Sequence, residues 1–476
     1  MRGLQRPASE HFLEASITNA PADDSLSCVA QKLQLGSAHV QIEALGTSVT
    51  RGPLFGQSYV SLLRRRLRRR FPRANFTLSQ RGYPGASVDY LNACVDRMLP
   101  VDADLYLLET TDNLGYTSAS WASTQMNEII SSLQGRRPGQ ETAIIIVAPF
   151  SQTCAKKLIG SWKTGRGWVH DRKRPGNDSV AATKRSLAQC FSRTALPTAL
   201  EALAVARGLP CVSVRSALRR DLQGSLDRAA INATLRQFLL PDLIHPSERG
   251  YGLIANASLR VILNAAQGRP PACKGQRARV EPRARRSGAR GNACAFGEAL
   301  HELVIASRGW HYVVERSAQG QPKPGYVATT PNATLEVCHH GITAQPGGGQ
   351  GLARLGSKAF LWQFGYLRSY RGLGVVQGEC VRGCRCAPRQ WDAHIRRHVS
   401  QTAISKLAVK PLRTGVLPAA AGGCPCVIRL TVLNSTTSGG HKFKLEALFG
   451  AFAMYNTNYA VCGSPLCAYM PEREPV

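Results

Sequence analysis

The chain has 476 residues, 43% of them hydrophobic, and carries 60 Lys and Arg against 30 Asp and Glu, a formal charge of +30. That length exceeds one ordinary domain, the apolar content suffices for packed cores, and no apolar run approaches the ~18 residues of a membrane-spanning helix. The charge favours acidic partners, but much of the excess sits in residues 269–290, where eight Arg and Lys face the single Glu281. Like charges in a run repel and stay solvated, which describes a linker better than a nucleic-acid surface.

Residues 1–37 read as an N-terminal extension, without the apolar core of a signal peptide. From 38 to 266 strand-like and helix-like patterns alternate. HVQIEAL (39–45) is a strand, and GQSYVSLLRRRLRRRF (56–71) is an amphipathic helix with Tyr59, Leu63, Leu67 and Phe71 on one stripe. ANFTLSQ (74–80) is a strand, SVDYLNACVDRML (87–99) a helix and DLYLLETT (104–111) a strand, followed by a helix near 118–134. TAIIIVAPF (142–150) is nearly all apolar, the mark of a strand buried on both faces. One long helical stretch, about 182–207, leads to the strand CVSV (211–214), and a last helix follows DLIHP. This order predicts a parallel sheet with helices on both faces. The Arg run at 64–70 reads as the solvated back of its helix.

Residues 267–292 form the basic linker. Residues 293–476 change character: WHYVVER, TLEVCHHG, AFLWQFGYLRSY, CVIRLTVLNS and HKFKLEALFGAF are strand-like and separated by Gly-, Pro- and Ser-rich turns. They predict a second, mainly β domain. Phe360, Trp362, Phe364 and Tyr366 alternate onto one face, which reads as core rather than as a sugar-stacking platform. Of the 15 cysteines, ten lie after residue 250, in groups such as CVRGCRC (380–386), CPC (424–426) and CGSPLC (462–467). This density predicts a disulfide framework ahead of a zinc site. Six of the fourteen asparagines, at 75, 177, 232, 256, 332 and 434, begin N-x-S/T, where about two are expected by chance. Together these features point to the secretory pathway or the cell exterior.

In a parallel sheet the reactive groups gather at the carboxyl ends of strands. There the chain offers Ser48 in LGTSVTRG, Gly85 in RGYPGASVD, Asn113 in ETTDNLG, and Asp242 with His245 ahead of the last helix. These are the parts of an acyl-transfer site. A serine hydroxyl needs a base to take its proton, an imidazole needs a carboxylate to hold its other nitrogen, and the oxyanion needs preorganised donors. The four blocks resemble those of the SGNH (GDSL-type) hydrolase family, in the family's order and over about residues 38–266. The resemblance implies a three-layer α/β/α domain with a flavodoxin-like parallel sheet. It also implies a serine esterase in which Ser48 is the nucleophile, His245 the base, Asp242 its orienting acid, and Gly85 and Asn113 oxyanion donors. Two places depart from the family pattern: Thr47 stands where Asp is common, and Thr111-Asp112-Asn113-Leu114 where Gly-x-Asn-Asp is common. The second half is similar to β-rich modules that follow such domains in green-algal proteins.

The expected function is hydrolysis of an acyl ester on a glycan or similar compound; the alternative is an inactive glycan-binding or extracellular matrix protein. No cofactor and no metal are expected. GSWKTG (160–165) and GLARLGSK (351–358) miss the phosphate-loop pattern, and His339, His340, His394 and His398 lack ligand spacing.

Overall fold

A computed structural model describes residues 10–19, 24–36, 38–53, 57–99, 102–110, 119–136, 142–151, 154–155, 158, 161–164, 167–170, 180–191, 196–224, 227–267, 294–316, 322–338, 360–396, 400–412, 424 and 426–452. Asn113, the linker from 268, Asn177, His339, His340, His398 and the CGSPLC group lie outside them.

The first sheet is built from β1 (Ile17–Asn19), β2 (Val40–Gly46), β3 (Phe76–Gly82), β4 (Leu105–Glu109) and β5 (Ala143–Ala148). A short hairpin of β6 (Ser161–Thr164) and β7 (Gly167–His170) then precedes its last strand, β8 (Cys211–Ser213). The order is β1-β8-β5-β4-β2-β3. β8, β5, β4, β2 and β3 run parallel, and β1 pairs antiparallel with β8. From β2 the chain first goes outward to β3 and then back across to β4. The winding therefore reverses between β2 and β4, the position where open α/β sheets hold their ligands.

Every residue of β4 and β5 is buried. Alternate side chains go to opposite faces. Leu105, Leu107, Ile145 and Val147 join one core, and Tyr106, Leu108, Ile144 and Ile146 join the other. The helices Asp24–Leu35, Tyr59–Arg70 and Glu248–Ala266 cover the first face; Val88–Ala93, Ala119–Gln134 and Leu196–Ala206 cover the second. Each fully buried Ile contributes about 1.5–3 kcal/mol of transfer free energy. That is why three consecutive Ile dictate a central strand.

Four expectations change. The segment read as an extension is part of this domain: Leu26, Val29, Ala30 and Leu33 are buried in the first core, and β1 extends the sheet. The stretch 182–207 is two helices, Val180–Cys190 and Leu196–Ala206. Pro197 lacks the amide that a continuous helix would need there. The helix at 87–99 also breaks, at Cys94, into Val88–Ala93 and Val95–Met98. The Arg run is not wholly solvated, since Arg66 donates to the Gly252 carbonyl at 3.1 Å and Arg64 to that of Leu78.

The second domain is an antiparallel sandwich. Its strands are β9 (Cys294–Phe296), β10 (Val304–Arg308), β11 (Trp310–Arg316), β12 (Pro322–Ala328), β13 (Thr334–Cys338), β14 (Phe360–Arg368), β15 (Val375–Arg382), β16 (Cys384–Arg385), β17 (Arg389–Asp392), β18 (Gln401–Pro411), β19 (Val427–Val432) and β20 (Phe443–Phe452). One sheet runs β10-β13-β19-β15-β17; the other runs β11-β12-β20-β14-β18-β16, with β9 also on β20. Trp362, Phe364 and Tyr366 are buried between them, so these rings are core and present no platform to a sugar. Disulfides Cys338–Cys424, Cys380–Cys386 and Cys384–Cys426 bind this domain, and Cys154–Cys190 lies in the first. These cysteines are disulfide partners rather than zinc ligands. Cys211 is a buried free thiol.

Another disulfide, Cys94–Cys294, joins the two domains. Around it Arg97 donates to the Cys294 carbonyl at 3.0 Å, Tyr83 meets Phe296 edge-on at 6.1 Å, and Tyr90 meets Phe449 edge-on at 5.6 Å. Phe449 and Ala447 of β20 are buried in the core of the first domain, so the sandwich is packed directly onto it.

Candidate active site

Ser48 opens a four-residue helix, Ser48–Arg51, two residues beyond the end of β2. Thr47 caps that helix, accepting from the Val49 amide. Two glycines make the turn possible. A Cβ on Gly46 would sit 2.2 Å from Thr50 Oγ1 and 2.4 Å from Glu109 Oε2, and one on Gly82 would sit 2.3 Å from the Arg51 amide nitrogen. Gly46 pairs with Gly82 across β2 and β3, and the Tyr83 amide donates to the Gly46 carbonyl at 2.9 Å. The loop that carries Gly85 therefore leaves the sheet beside the one that carries Ser48.

His245 arrives from the other end of the sequence, in a tightly closed loop between two helices. The Leu240 amide donates to the His245 carbonyl at 2.8 Å, and the Ser247 amide to that of Phe238 at 2.9 Å. Ser247 then caps the helix Glu248–Ala266. Leu243 has φ 59°, an uncommon conformation for a branched side chain, and is held in it by burial in the core. Asp242 folds back on the same loop: Oδ1 accepts from the Ile244 amide at 2.9 Å and the His245 amide at 3.0 Å.

These two loops bring three side chains into line. His245 Nε2 lies 2.9 Å from Ser48 Oγ, and His245 Nδ1 lies 2.6 Å from Asp242 Oδ2. Burial acts to raise the Asp242 carboxyl, but hydrogen bonds from the His245 ring and from the backbone of His245 and Ile244 outweigh it and hold the group below its ordinary value. Ser48, just past the carboxyl end of β2, is half-buried.

Gly85 has φ 79°, which a residue with a Cβ rarely adopts. The second domain touches it, since the Thr402 amide donates to the Gly85 carbonyl at 3.3 Å. Beside Gly85 an open cleft runs between the domains, lined by Tyr83, Phe296, Lys323, Gln401 and Glu446 among others. Ser48 and His245 do not line it. Asn113 belongs to the loop after β4 and lies outside the described residues.

The architecture recurs among solved structures. A two-domain esterase described as active on acetylated mannans superposes with a TM-score of 0.58 at 14% identity, covering 92% of this chain and 98% of its own. Its co-crystal with mannopentaose gives 0.57 at 14%, covering 93% and 99%. The acetylxylan esterase Axe2 from Geobacillus stearothermophilus covers 47% of this chain and 94% of its own at 16% identity and a TM-score of 0.32. No family model and no curated protein sequence matches the chain. At 14% identity the likeness is one of fold: an α/β domain followed by a β domain.

Sequence reasoning missed three features of the site. Glu109 sits under the Ser48 turn, Thr402 touches Gly85, and Cys94–Cys294 fixes the domain that supplies Thr402. Of these, only Glu109 left a signal: one charged residue closing an otherwise apolar strand, LYLLE.

Proposed function

We propose that the protein is a serine carboxylester hydrolase that removes small acyl groups, acetyl first among them, from a glycan. The observation that carries this reading is the hydrogen-bonded chain from Ser48 Oγ through His245 to Asp242, at 2.9 Å and 2.6 Å. In the mechanism it supports, His245 Nε2 takes the Ser48 proton as Oγ attacks the acyl carbon. Asp242 holds the imidazole in the tautomer that leaves Nε2 free to accept and balances the imidazolium that forms. The backbone N–H groups of Ser48 and Gly85 and the side-chain amide of Asn113 receive the oxyanion. His245 then gives its proton to the departing sugar oxygen, and water repeats the sequence on the acyl-serine.

We place the glycan in the interdomain cleft, whose aromatic and charged lining suits sugar rings and hydroxyls. The description of the like-shaped two-domain esterase as active on acetylated mannans supports the same substrate class here. The disulfides favour an oxidising compartment, and among the described residues no helix is long and apolar enough to cross a membrane.

The test is acetate release from acetylated mannan and acetylated xylan. The wild-type protein releases acetate and Ser48→Ala does not. Equal release by both would end this reading.

A further inference from the structure

Beneath the serine turn lies a carboxyl group that the proposed mechanism does not use. Glu109 closes β4, on the far side of the winding reversal from β3, and is 1% exposed. Its Oε2 accepts from the Thr47 amide at 2.7 Å, the Thr50 amide at 3.1 Å and Thr50 Oγ1 at 2.8 Å. Thr47 Oγ1 donates to Oε1 at 3.0 Å. Thr50 Oγ1 in turn meets Tyr59 Oη at 3.0 Å. Among the described residues no Lys, Arg or His pairs with Glu109. A buried carboxyl without a cation is costly, and a leucine at the end of β4 would be the ordinary choice. What the carboxyl gains is a grip on the backbone amides at residues 47 and 50, which bracket Ser48.

We propose that Glu109 is a positioning residue for Ser48: its buried carboxyl ties down the backbone on both sides of the nucleophile and so fixes the direction in which Oγ meets His245 Nε2. This rests on the esterase reading above. Two further observations fit it. Gly46 must lack a Cβ because the carboxyl occupies that space. Thr47 and Thr50 both supply a hydroxyl in addition to an amide, so two of the four residues at the turn are matched to the same acceptor. The hydrogen bonds of Glu109 go to Thr47 and Thr50, so its action on Ser48 is through the backbone.

The experiment compares Glu109→Ala, Glu109→Gln and Thr50→Val with the wild type, each checked for a cooperative melting transition. It reads kcat and KM on a soluble acetyl ester and the rate of labelling by a serine-directed phosphonate. Loosening the turn by about an ångström should lower kcat roughly a hundredfold in Glu109→Ala, with KM within about twofold and labelling slowed in parallel. Glu109→Gln keeps an acceptor for both amides and should recover at least a tenth of the wild-type turnover. Thr50→Val removes one donor without changing shape and should lose about tenfold in kcat alone. A folded Glu109→Ala with wild-type turnover, or a loss confined to KM, overturns the proposal. Should that variant not fold, wild-type turnover in Thr50→Val overturns it. A wild-type protein that hydrolyses no ester is a different failure, that of the esterase reading itself.

Discussion

Asp242→Asn separates the two jobs of one carboxylate. Oδ1 holds the loop by accepting from the Ile244 and His245 amides at 2.9 and 3.0 Å, while Oδ2 meets His245 Nδ1 at 2.6 Å. Asparagine keeps an oxygen for the two backbone bonds, so the loop and the buried Leu243 stay in place. Its NH2 replaces Oδ2 and must donate to Nδ1. The ring proton then moves to Nε2, where it faces Ser48 as a donor and the base is gone. The comparable change in other serine hydrolases lowers kcat about 10⁴-fold, which corresponds to ~5.5 kcal/mol of barrier. The fold should survive the change, because the backbone bonds do. Asp242→Ala should lose the base's orientation and also loosen the loop. The assay is steady-state hydrolysis of a chromogenic acetyl ester beside thermal melting. Retention of more than a tenth of wild-type turnover by Asp242→Asn would refute the assignment of this carboxylate to His245. The pH sense is also fixed. Asp242 is held below its ordinary value, so its contribution to stability is present above the unfolded carboxylate value, about 3.9, and is lost only as pH falls through the lower folded value.

Glu109 has the opposite sign. Burial pushes its carboxyl up despite the hydrogen bonds from Thr47 and Thr50, so its contribution is complete below the unfolded value and is lost as pH rises through the folded one. The melting temperature of Glu109→Gln relative to wild type should therefore climb between pH 4 and pH 8; a constant difference contradicts this. The Cys94–Cys294 bond closes a loop of 200 residues, and its loss in a Cys94→Ser/Cys294→Ser variant should cost at most roughly 5 kcal/mol. Calorimetry should then resolve two domain transitions; an unaltered thermogram would show that the packed interface alone couples the domains. Among the sequons, Asn75, Asn332 and Asn434 are exposed at strand ends and turns, whereas Asn256 lies within a helix beside the fully buried Ser258. Glycopeptide mapping of protein secreted by a eukaryotic host should find glycan at the first three and none at Asn256.

The legible parts of the fold were those written in local periodicity. Three consecutive Ile announced β5, and the stripe from Tyr59 to Phe71 announced its helix, because burial on two faces or on one leaves a pattern in the residues themselves. The candidate site was legible where strand ends could be read: Ser48 and the Asp242–His245 loop were singled out from position and chemistry, and the structure brings these three side chains together. Other features depend on distant partners. The helix Asp24–Leu35 carries a modest apolar stripe that means little until the sheet it covers is known. Cys94 could have paired with any of fourteen other cysteines. Glu109 acts on backbone amides, which every residue possesses, so no side-chain pattern marks its targets. Thr402 reaches Gly85 only because a second domain is packed against the first.

The central claim is that Ser48 is a nucleophile activated by His245. Its most direct measurement is intact-mass and peptide mapping after brief exposure of the folded protein to a serine-directed fluorophosphonate. The account predicts a single adduct on the peptide containing Ser48, absent from Ser48→Ala and from the denatured chain, and much slowed in His245→Ala. An unlabelled native protein, or an adduct at another residue while Ser48→Ala still hydrolyses ester, would contradict it.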